Sequence, residues 1–365
     1  MRIGVNALYL LPGGVGGTEI YLRSLLAALA RMGGEHQFVV FTNQETCDLA
    51  PEAPNFATRQ QAVHARSRPS RLLWEQFRLP LEGIDVLLNP GFTAPLLTRL
   101  PQVTVFHDLQ HKRHPEFFRW WDLPFWNFFL WGAVRRSKRL IAVSEQTRAD
   151  LLRFYGAEPA RVDVVPHGVD EQLGRLERSP EPLLLYVSTL HPHKNHERLI
   201  RAFGRIRNER PGWRLVLAGM KGFAAGPVEK VVAGLGLEDA VRITGWIARE
   251  DVYALYRRAG AFVYPSRFEG FGMPLLEALA CGIPTACSDI EPLRSLAGIA
   301  ALRFDPDDED AIVDALRAIT GNEETRERLA RAGPIQAAGY TWEAAARRTL
   351  LSLVTAAAET APRGF

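Results

Sequence analysis

Glu269 and Glu277, with seven residues between them, bracket the run EGFGMPLLE, whose residue types and spacing suggest chemistry more strongly than any other stretch of the chain. Gly270 and Gly272 allow a tight backbone that can approach a ligand closely, and Pro274 suits the first position of a helix continuing through Leu275. A helix start of this kind aims backbone N–H groups and the positive end of the helix dipole at one spot, which suits a phosphate or diphosphate. Glu269, before the helix, and Glu277, in its expected first turn, would reach opposite ends of anything lying across it. Carboxylates accept hydrogen bonds from vicinal sugar hydroxyls, so the pattern points to a diphosphate flanked by two diols, that is, a nucleotide sugar. Lys194, at an expected strand-to-helix junction, is suited to neutralising a diphosphate. His107 and Asp108 follow another expected strand; taken alone, they also read as an ordinary loop pair.

The elements that must position these groups are short apolar strands alternating with helices. Residues 261–264 read as a buried parallel strand ended by Pro265, and similar runs occupy 3–10, 37–41, 86–88, 103–106, 139–143, 183–187, 215–219, 241–245 and 285–288. Glycines at 13–17 precede a helix expected over 18–30, and amphipathic helices follow residue 311. Such alternation predicts an α/β fold of doubly wound parallel sheets, with ligands beyond the carboxyl ends of the strands. A dinucleotide-binding unit would want an acid closing the second strand, whereas residues 37–41 lead into Thr42 and Asn43, which counts against a dehydrogenase. Ser144 reads as a helix N-cap, with Thr147 three residues on.

At 365 residues the chain suits two domains, and 47% hydrophobic with 23% charged residues is the composition of a soluble globular protein. A net charge of +3 gives no field that would demand nucleic acid. Three cysteines, Cys47, Cys281 and Cys287, without CxxC spacing, suggest a reduced, cytoplasmic protein. The N-terminal apolar run reads as a strand rather than a signal peptide, and no run is long enough to span a bilayer.

The run EGFGMPLLE resembles the signature of glycosyltransferase family 4, retaining enzymes of the GT-B fold with two Rossmann-like domains facing a cleft. Other residues match in order: GGTE, His107-Asp108, PHGVD at 166–170, and Lys194-Asn195. The resemblance implies that Glu277 holds the nucleotide ribose and that Glu269 and His107 lie by the donor sugar. It implies that Lys194 acts on the leaving diphosphate and that backbone groups of Gly270, Phe271, Gly272, Met273, Pro274 and Leu275 contact sugar and phosphate. Gly16 and Gly17 would close on the donor phosphates, and Ile247 would sit where the base is received. The sequence departs from the family pattern in having His167 for the commoner Asn and Thr189 where many members have a second cation, so neutralisation rests more on Lys194. The expected boundaries are an acceptor domain over 1–170, a linker near 171–182, a nucleotide-sugar domain over 183–340, and a helix over 341–357 crossing back.

The resulting expectation is transfer of a hexose from a nucleoside diphosphate sugar to a hydroxyl of a glycan or lipid-linked acceptor, without cofactor or metal. The run LYVSTLHPHKN leans it toward mannose and GDP-mannose, with UDP-linked hexoses next. An epimerase of the same architecture and a non-catalytic donor-binding scaffold are the alternatives. His191, His193 and His196 have loop spacing that could suit a metal, but no carboxylate or cysteine completes the set nearby. Asp305-Pro306-Asp307 mimics a DxD motif and is better explained by helix capping. Residues 112–139 combine four tryptophans with a basic cluster. The main expectation there is a helix burying Phe125, Phe128, Phe129 and Trp131; the second is contact with the inner face of a membrane.

Overall fold

The computed structural model describes residues 1–13, 16–222 and 224–359. Gly14 and Val15, in the glycine run singled out above, lie outside the described residues. The chain divides into two compact units, Met1–Gly168 with Tyr340–Phe365, and Val169–Gly339.

In the first unit, seven parallel strands are β1 (Arg2–Asn6), β2 (Gln37–Thr42), β3 (Phe56–Gln60), β4 (Val86–Asn89), β5 (Gln102–Phe106), β6 (Arg139–Ala142) and β7 (Val162–Val164). They lie in the order β3-β2-β1-β4-β5-β6-β7. Helices α1 (Gly17–Met32), α2 (Arg68–Phe77), α3 (Gln110–Arg113), α4 (Leu123–Arg136) and α5 (Glu145–Tyr155) connect them. All of β5 is buried, Val103, Val105 and Phe106 in the core and the polar Gln102 and Thr104 each accepting a hydrogen bond from Asn89 Nδ2. β1 is shorter than the apolar run 3–10 suggests. The chain turns after Asn6, with Leu10 N–H donating to the Ala7 carbonyl, and Asn43 Nδ2 donates to the carbonyls of Leu8 and Leu10, so these apolar residues are buried in a turn.

The second unit begins with α6 (Glu171–Gly174) and has strands β8 (Glu181–Val187), β9 (Arg214–Ala218), β10 (Val241–Gly245), β11 (Ala259–Tyr264), β12 (Thr285–Ser288) and β13 (Leu302–Phe304). These are parallel, in the order β10-β9-β8-β11-β12-β13. Its further helices are α7 (His196–Ile206), α8 (Ala225–Gly234), α9 (Arg249–Arg258), α10 (Met273–Ala280), α11 (Leu293–Ala297), α12 (Glu309–Gly321) and α13 (Glu323–Ala337). Residues 171–182, read from composition as a linker, are folded onto this unit. Asp170 caps α6, Leu173 is buried, and Arg178 donates to the carbonyls of Ala259 and Gly282. Strand order reverses at β8 and β11, which sets their following loops side by side.

A final helix, α14 (Trp342–Ala358), lies in the first unit and packs on α1. Thr341 Oγ1 caps it by accepting from Ala344 N–H. A Cβ at Gly168 would stand 2.2 Å from the Trp342 nitrogen, so only glycine lets α14 start there.

The aromatic stretch departs from the main expectation. The core side of α4 is filled by Leu130, Ala133 and Val134, and Gly132 meets Leu96, so Phe128 and Trp131 remain exposed. Phe125 and Phe129 are half-buried, their ring centroids 4.6 Å apart. Among the described residues no helix is long and apolar enough to cross a membrane.

Candidate active site

In the second unit the glycine loop after β11 carries Glu269 and leads into α10, where Gly272 is the residue before the helix at φ 103°. A Cβ there would come within 2.6 Å of Leu293 Cδ2, so conformation and space both call for glycine. Met273 and Pro274 begin the helix, which places Glu277 in its second turn rather than the first. The donors at this helix start are also fewer than the sequence suggests. Pro274 has no N–H, and Leu275 N–H donates to the Gly272 carbonyl at 3.0 Å. Among the described residues, the N–H groups of Gly272 and Met273 have no protein acceptor, and they remain for an anion.

Lys194 and Glu269, 75 positions apart, meet at this turn, Lys194 Nζ donating to Glu269 Oε1 at 2.6 Å. Both side chains are largely buried, at 16% and 8% exposure. Neighbouring strands make the meeting possible, since Lys194 follows β8 and Glu269 follows β11. The loops are then tied together. Tyr186 Oη donates to the Lys194 carbonyl, Arg267 N–H donates to the His193 carbonyl, and Asn195 Nδ2 donates to the carbonyls of Pro265 and Pro306. Asn195 itself has φ 60°, a left-handed conformation that asparagine tolerates better than most residues. Thr189 lies half-buried in the same loop, its Cγ2 against Gly222.

Glu277 is buried with both oxygens engaged. Arg249 Nη2 donates to Oε1, and Tyr256 Oη donates to Oε2 at 2.8 Å. Burial and the neighbouring Glu277 charge push the Tyr256 phenol well above its ordinary value, so it remains a donor. Arg249 and Tyr256 both come from α9, and sequence reasoning missed them. The available signal was the rule that a buried carboxylate needs partners, together with a seven-residue spacing that sets both on one helix face. Ile247 is half-buried two residues before Arg249, beside the exposed Trp246.

The histidines near Lys194 are occupied within the protein. His191 and His193 approach each other through their Nδ1 atoms at 2.9 Å, and His196 Nε2 contacts Ser188 Oγ. Burial, then the charge of Lys194, lowers the His196 pKa to about 3. Asp307 pairs with Arg198 and Arg267, while Asp308 caps α12. Among the described residues no group of three or more His, Cys, Asp or Glu side chains is arranged to hold a metal ion.

In the first unit His107 follows β5 and is buried. Its Nε2–H donates to the Pro90 carbonyl at 2.9 Å, which fixes the neutral tautomer with a lone pair on Nδ1. Among the described residues that Nδ1 has no hydrogen-bond partner. Burial lowers the pKa to about 4, against a smaller raising effect of the Pro90 carbonyl. Tyr21, Phe92 and His167 surround the ring, with centroids 4.8, 5.2 and 5.6 Å away. His167, which departs from the motif's usual Asn, stacks on Trp342 at 5.9 Å, so its ring is part of the seat of α14. Gly16, at φ 56°, stands before α1, whose first residue is Gly17, and both are exposed. Ser144 Oγ accepts from Thr147 N–H and caps α5.

Two units of parallel sheet with helices between the strands, one carrying a carboxylate-flanked helix start, have the GT-B fold. The model for glycosyl transferases group 1 matches residues 170–336, and that for glycosyltransferase family 4 matches residues 15–173. The chain belongs to glycosyltransferase family 4 and is a transferase. It is 28% identical over 358 residues to O-antigen chain mannosyltransferase B of Escherichia coli, covering 90% of this chain and 93% of that one. It is 29% identical to the MMP alpha-(1->4)-mannosyltransferase of Mycolicibacterium hassiacum, covering 82% and 74%. In structure it resembles sucrose-phosphate synthase of Thermosynechococcus elongatus with a TM-score of 0.81 at 21% identity, covering 99% and 100%.

Proposed function

We propose that this glycosyltransferase moves mannose from GDP-mannose, with retention, to an acceptor hydroxyl of a glycan or lipid-linked saccharide. The observation that carries the reading is the convergence at one strand-to-helix turn of Lys194, Glu269 and the N–H groups of Gly272 and Met273. These supply a cation and backbone donors for a diphosphate, beside a carboxylate for sugar hydroxyls. Mannose is supported by the two mannosyltransferase relatives and by the run LYVSTLHPHKN.

In the proposed reaction the bond between the anomeric carbon and the distal phosphate oxygen breaks, and the electron pair goes to that oxygen. Lys194 and the helix start stabilise the growing charge, so neutralisation does not call for a metal. The acceptor oxygen bonds to the anomeric carbon from the departing face, and its proton passes to the leaving phosphate. Glu277, aligned by Arg249 and Tyr256, accepts from the ribose hydroxyls. Glu269 and the Nδ1 lone pair of His107 accept from sugar hydroxyls. The glycine pair Gly16 and Gly17, at the start of α1, serves the donor phosphates.

The test supplies purified protein with GDP-mannose and with UDP-linked hexoses and follows release of nucleoside diphosphate, with and without chelator. GDP release unaffected by chelator supports the proposal. Turnover of UDP sugars alone would remove the donor assignment. Proton NMR of the glycoside formed on an added saccharide acceptor should show the anomeric configuration of the donor, and an inverted product would remove the retaining step.

A further inference from the structure

On a helix of a soluble unit, the face turned to water ordinarily carries polar side chains, but α4 departs from this. Phe128 and Trp131 stand out from it at 56% and 48% exposure, along a stripe that Pro124 begins and Arg135 ends. Spacings of four, three and four residues put these positions on one face. Just before the helix, Trp120 and Trp121 are exposed at 76% and 56%, and Leu97 is exposed in the neighbouring loop. That loop is held to the helix by Arg136, which donates to the Thr98 carbonyl. Two cations lie over exposed rings, Arg119 at 5.8 Å from Trp121 and Arg135 at 5.6 Å from Trp131.

The carboxyl end of α4 opens onto a pocket of ≈ 710 Å³ whose walls include Arg99, Arg135, Arg136, Lys138, Arg139 and Arg161. Glu158 and Glu359 also line it, and Arg139 is committed to Asp163. Arg161 donates to main-chain carbonyls. Among the described residues, Arg99, Arg135, Arg136 and Lys138 have no ion-pair partner. Seven cations and two acids fall between residues 112 and 139, in a chain whose net charge is +3.

We infer that this face docks on an anionic lipid bilayer. The α4 helix would lie along the interface, with Trp120, Trp121, Phe128 and Trp131 at headgroup depth and the basic pocket receiving lipid phosphates. Rings flanked by uncommitted arginines match that boundary, whose outer layer is negative and whose inner layer is apolar. The inference stands apart from the donor and acceptor proposed above, because binding to vesicles is read without turnover.

The experiment floats the full chain with vesicles of phosphatidylcholine, alone or mixed with phosphatidylglycerol, at low and high salt. Wild-type protein should rise with the mixed vesicles and stay behind with the neutral ones, and high salt should release it. Tryptophan emission should shift to the blue on binding. Arg135→Ala with Arg136→Ala should lower partitioning about 25-fold, about fivefold for each charge. Phe128→Ser with Trp131→Ser should abolish flotation, while Ile335→Ser, at an exposed position of α13, leaves it unchanged; circular dichroism checks each fold. Absence of wild-type flotation, flotation retained by both double variants, or occupation of these rings by a second copy of the chain in sedimentation would each overturn the inference.

Discussion

Replacing Lys194 by methionine separates two roles that one side chain combines. Structurally, the ammonium is the 2.6 Å partner of Glu269, a carboxylate 8% exposed. Removing one member of a buried ion pair leaves the other charged and desolvated, which costs about 3 kcal/mol at the lower end of the usual range, appropriate since Lys194 keeps some solvent contact. For a unit of this size such a loss lowers Tm by roughly 6–12 °C. Chemically, loss of the charge that stabilises the leaving diphosphate should reduce kcat about 10²–10³-fold. The double variant Lys194→Met with Glu269→Gln distinguishes the two effects. A neutral amide has no charge to strand, so most of the lost Tm should return while kcat stays low. Differential scanning fluorimetry and steady-state release of nucleoside diphosphate read the two outcomes on the same samples. Full recovery of turnover in the double variant, or kcat within about threefold of wild type in Lys194→Met, would refute the leaving-group role.

Acid should weaken the fold through its buried imidazoles. His107 and His196 have folded pKa values lowered to about 4 and about 3, below the ordinary unfolded value, so the unfolded chain takes up their protons first as pH falls. Their stabilising effect is fully present above about pH 7 and is lost as pH drops through the unfolded value near 6.5, amounting to about 2 kcal/mol per histidine by pH 5. Urea unfolding at pH 7 and pH 5 measures this, and equal midpoints would contradict it. Tyr256→Phe removes the 2.8 Å donor to Glu277 and should cost about 1–3 kcal/mol. Because Tyr256 positions the carboxylate assigned to the ribose, donor KM should rise more than kcat falls in steady-state kinetics.

Strands such as β8, β9 and β11 were readable because each holds a short apolar run bounded by turn residues. Where apolar character outlasts the strand, as in Ala7, Leu8 and Leu10, composition cannot distinguish a buried turn from extended chain. EGFGMPLLE disclosed a helix start. Its exact origin decides which N–H groups remain free, and that depends on Gly272 adopting φ 103°. The partners of the two glutamates were hidden for a different reason. Lys194 reaches Glu269 only through the neighbouring positions of β8 and β11, and the α9 face bearing Arg249 and Tyr256 is recognisable only once Glu277 is known to be buried. On α4, rings occur on every side of the helix, so periodicity could not say which faced solvent. The small residues Gly132 and Ala133 decided it by marking the side that packs closely.

Asn195 has one further effect. Its amide spans two main-chain carbonyls, at Pro265 and Pro306, and so braces three separate turns at the carboxyl ends of β8, β11 and β13. Turns fastened this way have surrendered their freedom during folding, so an arriving ligand need not order them again. Affinity differences among sugar nucleotides should therefore come from the groups each one touches, with little contribution from rearrangement of the loops around it.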